Sequence, residues 1–313
     1  MSEMHIDQLD LRDFTEGTPA ARQVFVNTLK RTLEDTGFFY LSHHGISPAL
    51  IEQSFDTYPR FFKDLPEPVR KKYEYPEVGR QYGYTPIGIE TGEHAKVADL
   101  KHFFHVLEDH MIEVPEVPEF SLVNEALFRE FQRVYHILLR AVALSLDLPE
   151  NYFVEKTGDS LLRVLHYPAH DNPTAEDERV EELTPGGNVV GMCASRHTDI
   201  NMLTLLLARQ AGLQLLYHGK WLPMLISDPN ILIVNCGDML QHLTGGRYRS
   251  GEHRVVCEPG KERYSMPFFG HVKGEVSLVP LAHLGESDLE RFHYRTAGEF
   301  LHARLVQIGL LEA

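Results

Sequence analysis

Long apolar runs are missing from this chain: no stretch approaches the ~20 residues that a helical membrane span requires. The opening residues, MSEMHIDQLD, have neither the basic start nor the apolar core of a secretory leader, so a cytoplasmic protein is expected. Cysteine is scarce. Cys193, Cys236 and Cys257 are widely spaced and form no CxxC, which argues against a disulfide framework or a zinc ribbon and predicts buried thiols. Positive charge is in deficit, with 30 Lys and Arg against 45 Asp and Glu and a net charge of −15. The electrostatic footprint of a nucleic-acid binder or an anionic-membrane binder is therefore absent, and a small molecule is the expected partner.

What is present is enough apolar material, 43% of 313 residues, to bury a sizeable core. Thr18-Pro19 reads as a helix cap followed by proline at the first helical position. Ala21, Phe25, Leu29 and Leu33 continue at helical spacing up to a stop at Gly37. "FFYLSHHGI" reads as a strand, Ser47-Pro48 as a second cap, and Ile51, Phe55, Tyr58 and Phe62 as a second helix. The longest helix is expected over 119–146, from Phe120 to Val142. From Leu161 the texture changes to short β-rich runs, with a tight hairpin centred on His218-Gly219, and this spacing predicts a β-sandwich or jelly roll. The acidic stretch 171–187 reads as a solvated loop between strands. Thr296 and Glu299 form a capping-box pattern that opens a closing helix, expected to stop at Gly309. With no evident linker, the chain reads as one α+β domain: a mainly helical part over 1–158, a jelly-roll core over 159–280 and a C-terminal helical segment over 281–313.

In "SRHTDINMLTLLL" a histidine stands two places before an aspartate, and in extended chain such a pair projects to one side. Alone the motif is weak, because His5-Ile6-Asp7 has the same spacing and the chain holds 18 histidines. An ordered set follows: His253 in "RSGEHRVV", then Arg263 and Ser265 in "ERYSMPFF". Two histidines and one carboxylate on one side of an ion leave its other positions open, the arrangement of non-haem Fe(II) oxygenases, whereas a structural zinc site needs a fourth protein ligand. Arg263 and Ser265, two apart on a strand, suit a carboxylate held by a guanidinium fork and a hydroxyl, or equally a structural ion pair. His43, His44, His102, His105, His166, His170, His242 and His271 have no partner at ligand spacing and read as surface or hydrogen-bonded histidines.

The ordered pattern His-x-Asp, His, Arg-x-Ser resembles the isopenicillin N synthase-like family of Fe(II)- and 2-oxoglutarate-dependent dioxygenases. The likeness extends through "DTGFFYLSHHGI", "RVLHYP", "GLQLLYHGKWLPM" and "NCGDMLQHLTGGRYRSGEHRV" over nearly the whole chain. It implies a double-stranded β-helix core flanked by N-terminal helices and a C-terminal helix. It further implies His197, Asp199 and His253 as iron ligands, and Arg263, Ser265 and Tyr167 as the holders of 2-oxoglutarate. Leu165 stands where the family's Asn-x-Tyr pattern has asparagine. By the same resemblance the segment 83–106 walls a substrate pocket. The implied activity consumes 2-oxoglutarate and dioxygen and yields hydroxylation, desaturation or ring closure of a small molecule. Isopenicillin N synthase shares Arg-x-Ser yet uses no keto acid, so an oxidase of that type is the second reading. A noncatalytic ligand-binding β-sandwich is the third.

Overall fold

The computed structural model describes residues 6–78, 80–90, 98–170, 180–183, 189–256, 258–285 and 288–307. Its strands are, in chain order, β1 (Gln8–Asp10), β2 (Phe38–Ser42), β3 (Gly83–Thr85), β4 (His102–Leu107), β5 (Leu161–Tyr167), β6 (Val180–Leu183), β7 (Val189–His197), β8 (Leu203–Ala208), β9 (Leu213–Tyr217), β10 (Lys220–Pro223), β11 (Leu232–Cys236), β12 (His253–Val256) and β13 (Arg263–Gly270). The helices are α1 (Leu11–Thr15), α2 (Pro19–Asp35), α3 (Pro48–Pro59), α4 (Glu67–Arg70), α5 (Pro118–Ser145), α6 (Asp238–Leu243) and α7 (Ala297–Gln307).

Eight strands form the larger sheet in the order β1-β2-β11-β8-β13-β5-β4-β3, and five form the smaller in the order β10-β9-β12-β7-β6. Apart from the parallel β1–β2 pair, every pairing is antiparallel. This is the jelly-roll core with flanking helices. Four of the larger sheet's strands come from the part of the chain that the sequence presents as mainly helical.

Side-chain alternation assigns the two faces of the larger sheet. On β5 and β13, Leu162, Val164, Met266 and Phe268 join the helices in one buried cluster, where Phe131 of α5 stacks on Phe268 at 5.8 Å. Leu165 and Tyr167 point the other way and share a second cluster with Ala194, Leu213, Leu215 and Val255 of the smaller sheet. Arg263 and Ser265 occupy that inward face too, so the polar side chains of β13 are carried into the space between the sheets.

The local signals mostly hold. Thr18 Oγ1 accepts from Ala21 N at 3.2 Å, and α2 ends where Gly37 takes φ +73° and donates its N–H to Thr32 O. A Cβ at Gly37 would lie 2.0 Å from Arg249 O, so glycine is required there for contact as well as for conformation. His218 and Gly219 both have positive φ, as a two-residue hairpin turn demands. Thr296 and Glu299 cap α7 reciprocally; its expected stop at Gly309 lies outside the described residues. Three expectations are corrected. Ser47 precedes α3 but its side chain makes no capping bond. Cys236 is a buried free thiol as predicted, but Cys193 is disulfide-bonded; Cys257 lies outside the described residues. Residues 180–183 of the acidic stretch form β6 instead of loop, and the rest of it is not described.

Candidate active site

His197 closes β7 and His253 opens β12, and the two strands pair with these residues in register, bringing the imidazole centroids to 4.3 Å. Asp199 is not on the strand, as the His-x-Asp spacing suggested, but in the turn that follows it. That turn is held by α6: Asp238 N donates to Asp199 O at 2.7 Å, and Met239 N to Ile200 O at 3.1 Å. Gly237 packs so closely beneath it that a Cβ would lie 2.0 Å from Asn201 O.

Asp199 is 7% exposed and its two oxygens are used differently. Oδ2 accepts from Thr204 Oγ1 at 2.6 Å and from Asn235 Nδ2 at 2.8 Å. Oδ1 faces the imidazoles, 3.9 Å from His197 Nε2 and 3.7 Å from His253 Nε2. Each histidine sets its own tautomer, because Nδ1 meets a carbonyl two residues upstream, Ser195 O at 2.7 Å and Gly251 O at 3.0 Å. A carbonyl only accepts, so Nδ1 carries the proton, and in the neutral ring it is Nε2 that holds the lone pair a metal needs. Burial, reinforced by His253, pushes the His197 pKa down to about 4. Burial alone would raise Asp199, but the two histidines and the bonds from Asn235 and Thr204 hold it below the usual carboxylate range. Among the described residues this is the one group of three or more His, Cys, Asp or Glu whose ligand atoms lie close enough to share an ion, all within 4.8 Å of one another. Two imidazoles and a carboxylate converging from one side suit a divalent metal with open positions.

Beside the triad lies a cavity of about 70 Å³ that all six sequence-nominated residues line. Arg263 and Ser265 follow one another on the same face of β13, and Arg263 Nη1 donates to Ser265 Oγ at 2.8 Å. Tyr167 is paired with Arg263 across β5 and β13, its ring 5.2 Å from the guanidinium carbon. Arg263 is 6% exposed, its Nε has no hydrogen-bond partner, and no carboxylate among the described residues pairs with it. A buried uncompensated cation is costly, so the cavity is built for an anion; the sequence's other reading, a structural ion pair, finds no partner among the described residues.

A second cavity, of about 150 Å³, shares His197 and Asp199 with the first, and Glu90, Asp99, Lys101 and His105 from the described part of 83–106 help to wall it. Several contributors were not legible in the sequence. Thr204 and Asn235, which orient Asp199, carry no motif of their own. Of the histidines without a ligand-spaced partner, His102 and His166 are hydrogen-bonded to each other at 2.7 Å, but His271 is buried on the wall of the larger cavity. Replacing Thr204 with valine removes a donor at nearly constant volume, and metal affinity is expected to fall by about 10- to 100-fold; calorimetric titration with Co(II) checks this, and an unchanged affinity would mean that the hydroxyl does not orient the carboxylate.

Two family models match the chain. One, described as the 2OG-Fe(II) oxygenase superfamily, matches residues 158–272, and the other, described as the N-terminal region of non-haem dioxygenases in morphine synthesis, matches residues 6–125. The proline hydroxylase buaE of Petromyces alliaceus is 30% identical, over 97% of this chain and 99% of its own. The 2-oxoglutarate-dependent dioxygenase frbA of Dothideomycetidae sp. is 30% identical, over 85% of this chain and 86% of its own. A full-length Neurospora crassa protein, crystallised in complex with alpha-KG, superimposes with a TM-score of 0.80 at 25% identity, covering 96% of each chain.

Proposed function

The chain belongs to the 2OG-Fe(II) oxygenase superfamily, and we propose that within it His197, Asp199 and His253 hold the ferrous ion while Arg263, Ser265 and Tyr167 hold 2-oxoglutarate. The enzyme couples oxidative decarboxylation of 2-oxoglutarate to oxidation of a small molecule, using Fe(II) and dioxygen. When bound, the iron and keto acid together supply the oxidising equivalent, and the protein's work is binding, orientation and exclusion of water.

Each protein group has a role that follows from its placement. The Nε2 lone pairs of His197 and His253 and Oδ1 of Asp199 converge from one side, because Ser195 O, Gly251 O, Thr204 and Asn235 occupy their other polar atoms. Arg263 offers its guanidinium to the carboxylate of 2-oxoglutarate farther from the metal, with Ser265 Oγ beside it. The apolar side chains between the sheets, Leu206, Leu213 and Val255 among them, line the same cavity and strengthen that charge pair by keeping water out. The observation that carries the keto-acid assignment is the buried guanidinium without a carboxylate partner among the described residues, in the cavity that the triad lines. Leu165, where the family has asparagine, lies in the apolar inter-sheet cluster and contributes no hydrogen bond to the ligand.

Anaerobic titration of the Fe(II) protein with 2-oxoglutarate tests the assignment. The expected result is a metal-to-ligand charge-transfer band that saturates at one equivalent and is lost when Arg263 is replaced. Absence of the band, or turnover undiminished without keto acid, overturns it.

The substrate is a small molecule, a reading supported by the Neurospora crassa protein crystallised in complex with alpha-KG and thymine, and the larger cavity beside His197 is its site. Nothing in the charge balance of the chain favours nucleic acid or a membrane surface, and no helix among the described residues is long and apolar enough to cross a membrane.

A further inference from the structure

The walls of the larger cavity neutralise their own charge. Lys101 Nζ lies 2.7 Å from Asp99 Oδ2 and 3.4 Å from Glu90 Oε2, and Arg163 Nη1 donates to both Glu90 oxygens at 3.2 Å. These two cations and two carboxylates are all largely buried. Despite its burial, Glu90 is held well below the usual carboxylate range by Arg163 and Lys101, and Lys101 is held above its ordinary value by Asp99 and Glu90. Burial pushes His105 down to about 3 and His271 to about 4, so both imidazoles are neutral near pH 7. Arg304, farther along the wall, faces Asp238 at 3.4 Å. A ligand with net charge would enter this buried surround with no counter-charge left over, at the cost of its hydration.

Two hydrogen-bonding groups on that wall are not consumed by the protein. Arg163 spends Nε on His105 Nε2 and Nη1 on Glu90, and its guanidinium lies 4.2 Å over the Phe103 ring, while Nη2 makes no hydrogen bond among the described residues. His271 is 6% exposed. Its backbone is pinned on both sides, with N donating to Ser160 Oγ at 3.0 Å and O accepting from Tyr135 Oη at 3.1 Å. Its imidazole makes no hydrogen bond among the described residues, and Asp199 is the charged group that acts on it. A polar ring on so rigid a backbone, lining a cavity without a hydrogen bond from the protein, is placed to meet a ligand there.

Resting on the assignment of iron and 2-oxoglutarate above, we infer that His271 and the Nη2 edge of Arg163 orient the substrate, a compact molecule without net charge that presents a hydrogen-bond acceptor to Arg163.

Four compounds built on a five-membered ring test this on the Fe(II)·2-oxoglutarate protein under argon, by calorimetry: 2-pyrrolidinone (uncharged), L-proline (zwitterionic), cyclopentanecarboxylate (anionic) and pyrrolidinium (cationic). The first or second is expected to bind at least ~10-fold more tightly than both net-charged rings, because a net charge loses its hydration there without meeting a counter-charge. His271→Leu is expected to lose about that factor and His271→Gln to keep most of the affinity, with thermal melts confirming that both variants are folded. A net-charged ring binding as tightly as the neutral ones, no ring binding at all, or His271→Leu binding like the parent overturns the proposal. Failure of 2-oxoglutarate itself to bind in the preceding titration is a separate result: it removes the assignment underneath, and this inference with it.

Discussion

Asp199→Ala is expected to abolish turnover and to weaken Fe(II) binding by more than the ~10- to 100-fold that loss of an outer-shell partner costs. The substitution removes the single anionic donor of the triad and leaves two neutral imidazoles, whose Nε2 atoms then converge on a site without counter-charge. It also strands Asn235 Nδ2, a buried donor aimed at the missing oxygen, whereas Thr204 Oγ1 keeps Asn201 Oδ1 at 3.2 Å. A stranded buried donor costs on the order of 1–3 kcal/mol, so a lower melting temperature is expected alongside the lost metal. The two effects separate if metal titration is run well below the melting point of the variant. Metal affinity equal to the parent's there would remove Asp199 from the ligand set.

Arg263→Met is expected to have opposite effects on ligand binding and on fold stability. Truncating one member of a buried, hydrogen-bonded charge pair costs about 2–5 kcal/mol, so the affinity for 2-oxoglutarate should fall by roughly 30- to several-thousand-fold. Without the keto acid, however, the buried guanidinium has no anion to meet among the described residues and its Nε is unsatisfied. An apolar side chain of similar length removes that desolvation cost, and the ligand-free variant should melt no lower than the parent. Differential scanning calorimetry with and without 2-oxoglutarate reads both outcomes in one experiment. A variant that melts lower in the absence of ligand would show that Arg263 serves the fold, and one that binds 2-oxoglutarate normally would show that it does not serve the ligand.

Local signals in the sequence proved reliable where the physics is local. A capping threonine before proline, apolar residues every third or fourth place and a glycine in the left-handed region define α2 from Thr18 to Gly37 without help from the rest of the chain. The same holds for the His218-Gly219 turn and for the reciprocal cap of α7. The cap expected at Ser47 failed because a Ser-Pro pair marks a helix start whether or not the hydroxyl finds an amide. The reading of the first half as helical also missed how β1 to β4 are used. Short strands separated by long stretches of chain from their partners carry no signature of that pairing.

The candidate site divides in the same way. His197, Asp199, His253, Arg263 and Ser265 were legible as an ordered set, but spacing gave the wrong reason for Asp199, which reaches His197 through a turn fixed by α6 and Gly237. The second His-x-Asp shows the limit of the motif: Asp7 is bound by Arg31 and Thr32 in an ordinary surface contact. His271 looked like any other histidine in the chain.

The amino-acid order alone therefore determined the helices, the turns, the β-rich second half and the identity of the residues that converge, because those depend on neighbours a few places away. Tertiary structure decided which oxygen of Asp199 faces the histidines, which cations keep an unused hydrogen-bonding edge and where the two cavities beside the triad lie. Those features arise from contacts between strands distant in the chain, and whether a buried polar group is satisfied can be known only once all of its neighbours are in place.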